Sequence, residues 1–238
     1  MKLQGLIFKI IYFVVISFIF VALISILSTV ITGIQEGYFS LDFCLSNSCI
    51  KRANVYYSSI ISLFTSSAQT LAAIATALGI VVAALTFKNT SETNALNSHI
   101  SHFKVFSDYL VLELNKRERI SISSINTFDW YNLIFNDSIS GSVMVSKDYI
   151  SALNEINDEI NRTNNNATKA SQGPFRHHEH QQRMRNVFIK LGIEIEHYPK
   201  NDYWLIENEI ISLIDTINQA FCQKPRVNAL QTRHYYSK

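Results

Sequence analysis

The sequence predicts a mainly α protein: an N-terminal transmembrane helical hairpin followed by a mostly helical cytoplasmic domain. Three observations carry this. Apolar residues crowd into the first 87 positions. Two long runs there lack charge and are separated by a short loop. Beyond them, apolar residues recur every three or four positions, the period of a buried helix face. The expected division is a hairpin over 1–88, a cytoplasmic domain over 89–222 and a basic mobile tail over 223–238.

The first span covers Ile10 to Ile31, 22 residues without charge. At ~1.5 Å per residue it reaches about 33 Å, enough for a hydrocarbon core of roughly 30 Å. A cleaved signal peptide has an apolar core of only about 7–15 residues, so an uncleaved anchor fits better. The second span covers about 60–87, with its apolar core from Leu71 to Phe87. It crosses if the Ser/Thr-rich turns before it sit in the outer half of the bilayer. The loop 33–57 is too short for anything but antiparallel neighbours. Lys2 and Lys9 flank the first span, and Lys88, Lys104, Lys116, Arg117 and Arg119 follow the second. That bias places both termini in the cytoplasm. Cys44 and Cys49 then lie in the extracytoplasmic loop, where a disulfide forms readily. Two unpaired thiols are the alternative. Cys222 has no nearby partner in the sequence and reads as a reduced thiol.

In the second part, Leu96, Ile100, Phe103, Phe106, Leu110 and Leu114 mark one helix face. Asn89 and Glu92 resemble an N-terminal capping pair, so the span either runs on or breaks near 88–91. FDWYNLIF predicts a short core helix and NDSISGS a turn. Tyr149, Ile150, Leu153, Ile156 and Ile160 predict the next helix. TNNNATKASQGP reads as a polar loop, with Pro174 starting a helix that Gly192 ends. Glu207 to Phe221 gives the last helix. IEIEHY, from Ile193 to Tyr198, is a strand candidate.

Little of this points to catalysis. The chain has 21 basic and 19 acidic residues, so no global field draws nucleic acid. No nucleophile elbow, phosphate loop or dinucleotide turn is present. The expectation is a non-enzyme without a cofactor. The tempting cluster is HHEH. His177 and His180 are three apart, whereas a helical zinc pair is usually four apart. A solvated or partner-binding face of Arg176, His177, His178, His180, Arg183 and Arg185 is the reading preferred over metal.

The second span carries the unusual chemistry. On a helix, Ser62, Ser66, Gln69 and Thr76 fall near one stripe, and Ala75, Gly79 and Ala83 form a small-residue series beside it. Small residues let helices approach closely, and Ser, Thr and Gln hydrogen-bond between them. Gln69 is the hardest of these to leave in lipid. Packing within one hairpin, self-association into a homo-oligomer and a water-filled path all remain open on the residues alone.

With SHFKVFSDYL, FDWYNLIF and the HQQRM segment before LGI, the chain resembles the retron-associated two-transmembrane effectors, membrane toxins of bacterial anti-phage systems. The resemblance extends over all but about the last fifteen residues. It implies an inner-membrane protein that permeabilises or depolarises the bilayer when released, with residues 89–222 as its regulatory domain. It also implies a retron reverse transcriptase and its RNA–DNA product as restraining partners, and death or arrest of the infected cell. A membrane-anchored sensor or binding module without pore activity is the alternative.

Overall fold

The computed structural model describes residues 2–40, 44, 46–168 and 176–235. Helices form its regular structure: α1 (Lys2–Gln35), α2 (Asn47–Tyr56), α3 (Ser58–Leu114), α4 (Thr127–Ile134), α5 (Lys147–Thr168), α6 (His177–Lys190) and α7 (Lys200–Phe221). Among the described residues there is no β-strand. The expected strand at Ile193 to Tyr198 is reduced to one isolated bridge, Ile125 to Ile193. The chain divides into two compact units, Met1–Lys88 and Asn89–Lys238.

In the first unit, α1 and α3 are long and apolar enough to cross a membrane. Part of the connecting loop is helical, because α2 occupies Asn47–Tyr56. Ser46 caps α2 by accepting from Cys49 N. The Tyr38 ring stacks on Tyr56 at 4.3 Å and meets Tyr57 edge-on at 5.9 Å. These rings bind the end of the first helix to the turn into the second.

Of the two alternatives left open at 88–91, the span runs on. Helix α3 passes through this stretch, and Thr93 Oγ1 donates to Asn89 O at 2.9 Å. The physical reason is local: after Gly79 the helix meets no Gly or Pro to break it. Leu96 and Ile100, expected on the core face, are about half exposed at 49% and 55%. The core takes α3 only from Phe103 onward, with Phe106, Leu110 and Leu114 buried.

Helix α4 has eight residues, too few to be stable alone. Packing holds it. Trp130, Tyr131 and Ile134 are fully buried, each worth on the order of 1.5–3 kcal/mol. Phe106 meets the rings of Tyr131 at 5.4 Å and Phe221 at 5.2 Å. Asn126 starts this helix by accepting from Asp129 N. Gly192 ends α6 with φ of 75°, and its carbonyl accepts from Asn126 N at 2.8 Å. A Cβ there would stand 2.9 Å from Asn126 O, so glycine is required by both angle and space.

Helix α5 packs on α4 and α6, and α6 packs on α7. Two boundaries differ from expectation. Thr163 to Thr168, read as loop, continue α5, and the rest of that loop with Pro174 lies outside the described residues. Helix α7 begins at Lys200 rather than Glu207. The tail expected to be mobile is docked as far as described: Leu230 and Tyr235 are buried.

Candidate functional site

The first unit sorts the faces of α3. Its partly covered positions are Ile60, Ser67, Ala68, Leu71, Leu78 and Leu85. On α1 the covered positions include Ser17, Val21, Ala22, Ser25 and Ser28, so the small residues of the first span lie inward. The rings of Phe18 and Phe64 meet at 6.1 Å across the pair. At about 100° per residue, Ser62, Ser66, Gln69 and Thr76 fall on the opposite side of α3. All four are exposed. Ala75, Gly79 and Ala83 lie between the two faces and are exposed as well; a Cβ on Gly79 would meet nothing within 4 Å.

The hydroxyls differ in what they still need. Thr65, Ser67, Thr70 and Thr76 donate to carbonyls one turn back, at 2.7 to 2.9 Å. Such groups are satisfied within their own helix. Ser62, Ser66 and Gln69 have no side-chain hydrogen bond among the described residues. Ser58, Ser59, Ser62, Leu63 and Ser66 line a shallow open concavity on this side. Among the four residues of the stripe, the chemistry left unfulfilled thus reduces to two hydroxyls and one amide, with Ser58 and Ser59 adding two more hydroxyls at the start of the helix. Cys44 and Cys49 form a disulfide, with Cα atoms 5.9 Å apart.

The Arg-His cluster does not form one surface. Arg176 and His178 are exposed, His177 is half-buried, and Arg176 pairs with Glu179 at 3.0 Å. His180 turns into the core. Arg183 Nε donates to Glu159 at 2.8 Å, and Arg185 Nε to the Ile195 carbonyl at 2.6 Å. His99 and His102 also serve locally, against Ser138 at 2.9 Å and Tyr131 at 3.0 Å. Among the described residues, no group of three His, Cys, Asp or Glu is placed to hold a metal ion.

His180 lies between two carboxylates. Its Nε2 is 2.9 Å from Glu207 Oε1, and its Nδ1 is 2.9 Å from Thr163 Oγ1. Thr163 donates onward to Glu159 Oε1 at 3.1 Å, so it accepts from Nδ1. Both ring nitrogens are then donors, which is the imidazolium state. Burial alone would lower the His180 pKa, but hydrogen bonds to Glu159 and Glu207 raise it above the ordinary 6.5. Burial likewise pushes Glu159 up, and its bonds from His180 and Arg183 outweigh this and hold it below 4.5. Arg233 and Tyr235 of the tail complete the cluster on Glu207, at 2.7 and 2.9 Å. Sequence reasoning missed Glu159, Glu207, Arg233 and Tyr235. One signal was present: Glu207 falls in the apolar register of Tyr203, Ile210, Ile214 and Ile217.

This cluster predicts a pH dependence. Below 6.5, folded and unfolded chains both carry the His180 proton, and its contacts contribute fully. Above that, the unfolded chain releases its proton first, and the contribution is lost as pH passes through the raised folded value. The Glu159 contribution behaves oppositely: it is present above 4.5 and lost as pH falls through the lowered folded value. Thermal unfolding of wild type and His180→Gln across pH 5–9 should therefore converge toward the alkaline end. The comparison removes the effect of His102, which burial pushes down and which acts in the opposite sense. A gap between the two proteins that widens with rising pH would refute the imidazolium assignment.

Comparison with known proteins bears on both units. No solved structure matches the chain. A relative from Escherichia coli, described as Retron Ec48 transmembrane protein, is 29% identical over 210 residues. The match covers 88% of this chain and 88% of that relative. The family model for the Retron Ec48 antiviral membrane protein matches residues 54–225, from the last turn of α2 to just past α7. With most of its length matched, including the polar-faced helix, this chain belongs to the Retron Ec48 antiviral membrane protein family.

Proposed function

We propose that this retron defence component permeabilises or depolarises the bacterial inner membrane by assembling copies of itself through the exposed face of α3. The observation that carries this is the position of Ser62, Ser66 and Gln69. They point away from the α1-facing side and have no side-chain hydrogen bond among the described residues. An unpaired polar group in hydrocarbon costs several kcal/mol. A neighbouring copy removes that cost with hydrogen bonds, and a water-filled path lined by the same residues removes it by hydration. The exposed Ala75, Gly79 and Ala83 let a second helix approach closely.

In this reading both termini are cytoplasmic and the disulfide loop lies outside the membrane. Residues 89–222 restrain the assembly through the retron reverse transcriptase and its RNA–DNA product, and no catalytic step is involved. The test is membrane potential in cells expressing the chain alone, read with a voltage-sensitive dye beside a large impermeant dye. Depolarisation that co-expression of the retron partners suppresses is the expected result. A steady potential, with insertion verified and the partners absent, would favour the anchored sensor instead.

A further inference from the structure

The described end of the chain lies extended along α5 and α7, and side chains of those helices read its backbone. Leu230 N donates to Asp215 Oδ1 at 2.9 Å, and Gln231 N to Asn157 Oδ1 at 2.8 Å. Asn164 holds a carbonyl and an amide two residues apart: its Nδ2 donates to Thr232 O at 2.9 Å, and its Oδ1 accepts from His234 N at 2.6 Å. The register is matched. Asn157 and Asn164 are two turns apart, about 10.5 Å at 1.5 Å per residue. Gln231 and His234, which they hold, are three extended residues apart, about 10 Å. On α7, Asp215 holds the Leu230 backbone, and Asn208, two turns before it, accepts from the Arg233 guanidinium instead.

Backbone contacts of this kind do not depend on sequence. Selectivity comes from three side chains. Leu230 is buried. The Arg233 guanidinium lies 3.5 Å over the Trp204 ring and donates to Glu207. Tyr235 is buried and donates to the other oxygen of Glu207. The residues between them, Gln231, Thr232 and His234, are exposed. A peptide-recognition groove has the same properties: an extended ligand, side chain to backbone readout and a few anchors. Exposed residues on either side of the Lys224–Pro225 bond link the segment to α7, so it has chain enough to leave and return.

We propose that the α5–α7 groove is a binding site for an extended segment of the pattern Leu-x-x-Arg-x-Tyr, and that the partner is a second copy of this chain, whose C-terminal segment exchanges into it. Exchange of an identical element is a low-cost route to association, since every contact made in one chain is remade between two. The proposal needs two copies close together, as the assembly above supplies, but it needs no pore. Depolarisation and exchange are read separately, so failure of one does not decide the other.

The experiment uses full-length protein in detergent, with Asn164→Cys in one chain and His234→Cys in the other. The Asn164 to His234 N bond makes these positions neighbours across the groove, within the span of a short bifunctional thiol crosslinker. After co-expression and treatment with that crosslinker, the expected product is a dimer linked between 164 and 234, identified by peptide mass. A synthetic peptide of residues 226–235 in excess should lower its yield, and the same peptide with Arg233→Ala and Tyr235→Ala should not. The chain carrying both cysteines reports that the groove is occupied within one molecule. An internal link there without any link between chains would overturn the exchange. Failure of both links, or competition by the altered peptide, would overturn the site itself. Gln219→Cys, exposed on α7, should not link to Asn164→Cys and fixes the background.

Discussion

Cells expressing the chain with Ser66→Leu and Gln69→Leu keep their membrane potential, while the wild-type chain collapses it. Both substitutions act at exposed positions, so neither disturbs the contact between α1 and α3. Both also make the helix more apolar, so insertion is at least as favourable as before. What they remove is the need for a neighbour. Hydrogen bonds between membrane helices are worth roughly 0.6–2 kcal/mol each, and an assembly repeats the loss at every interface. A hairpin that is content alone in lipid does not assemble, and a path lined with Leu does not hold water. Thr70→Leu is the matched control. Its hydroxyl is already satisfied by Ser66 O at 2.9 Å, so its removal should leave depolarisation largely intact. Depolarisation retained by the correctly inserted double variant, shown by protease protection, would exclude this face. Loss of activity in Thr70→Leu as well would mean that general apolarity, rather than two unpaired groups, is the variable.

What was legible in the sequence was whatever followed a period. The two apolar runs, the FDWYNLIF helix and the Gly192 stop are each set by local chemistry, and each is found where the residues place it. The polar face of α3 was legible as a stripe. Which of its members are unsatisfied was not, because a hydroxyl bonding its own helix and one that does not look alike in sequence. The choice at Asn89 was not legible for a related reason. A capping pattern is permissive, and α3 had no breaker to stop it. The tail failed most instructively. KPRVNALQTRHY has no helical period because an extended segment held by side chains needs none. Its partners Asn157, Asn164 and Asp215 are ordinary polar residues at the edges of two amphipathic helices. Only three-dimensional register turns them into a site. The HHEH cluster misled in the opposite way. Adjacent residues on a helix point in different directions, so four neighbours that look like one feature went to the surface and to the core.

The tail also sets the second large effect. Arg233→Ala should destabilise the C-terminal unit by about 3–5 kcal/mol, the usual result of removing one partner from a buried ion pair. Arg233 is 5% exposed and Glu207 not at all, so solvent cannot replace what is lost. Truncation also removes the guanidinium from the Trp204 face. For a unit of this size, such a loss lowers its melting temperature by roughly 10 °C. The reason is that Glu207 stays buried and charged with the His180 imidazolium as its remaining cation partner. Adding Glu207→Gln to Arg233→Ala should therefore restore part of the stability, because a neutral amide is far cheaper to bury than a carboxylate short of one cation. Thermal unfolding of the full-length chain in detergent, followed by tryptophan fluorescence, reads both variants. Lys104→Ala gives the comparison. Its pair with Asp108 is 74% and 65% exposed, and its removal should barely move the transition. If the double variant is less stable than Arg233→Ala alone, the burden lies in packing or in the remaining His180 and Tyr235 bonds to Glu207. The loss of one cation from Glu207 would then not be the cause.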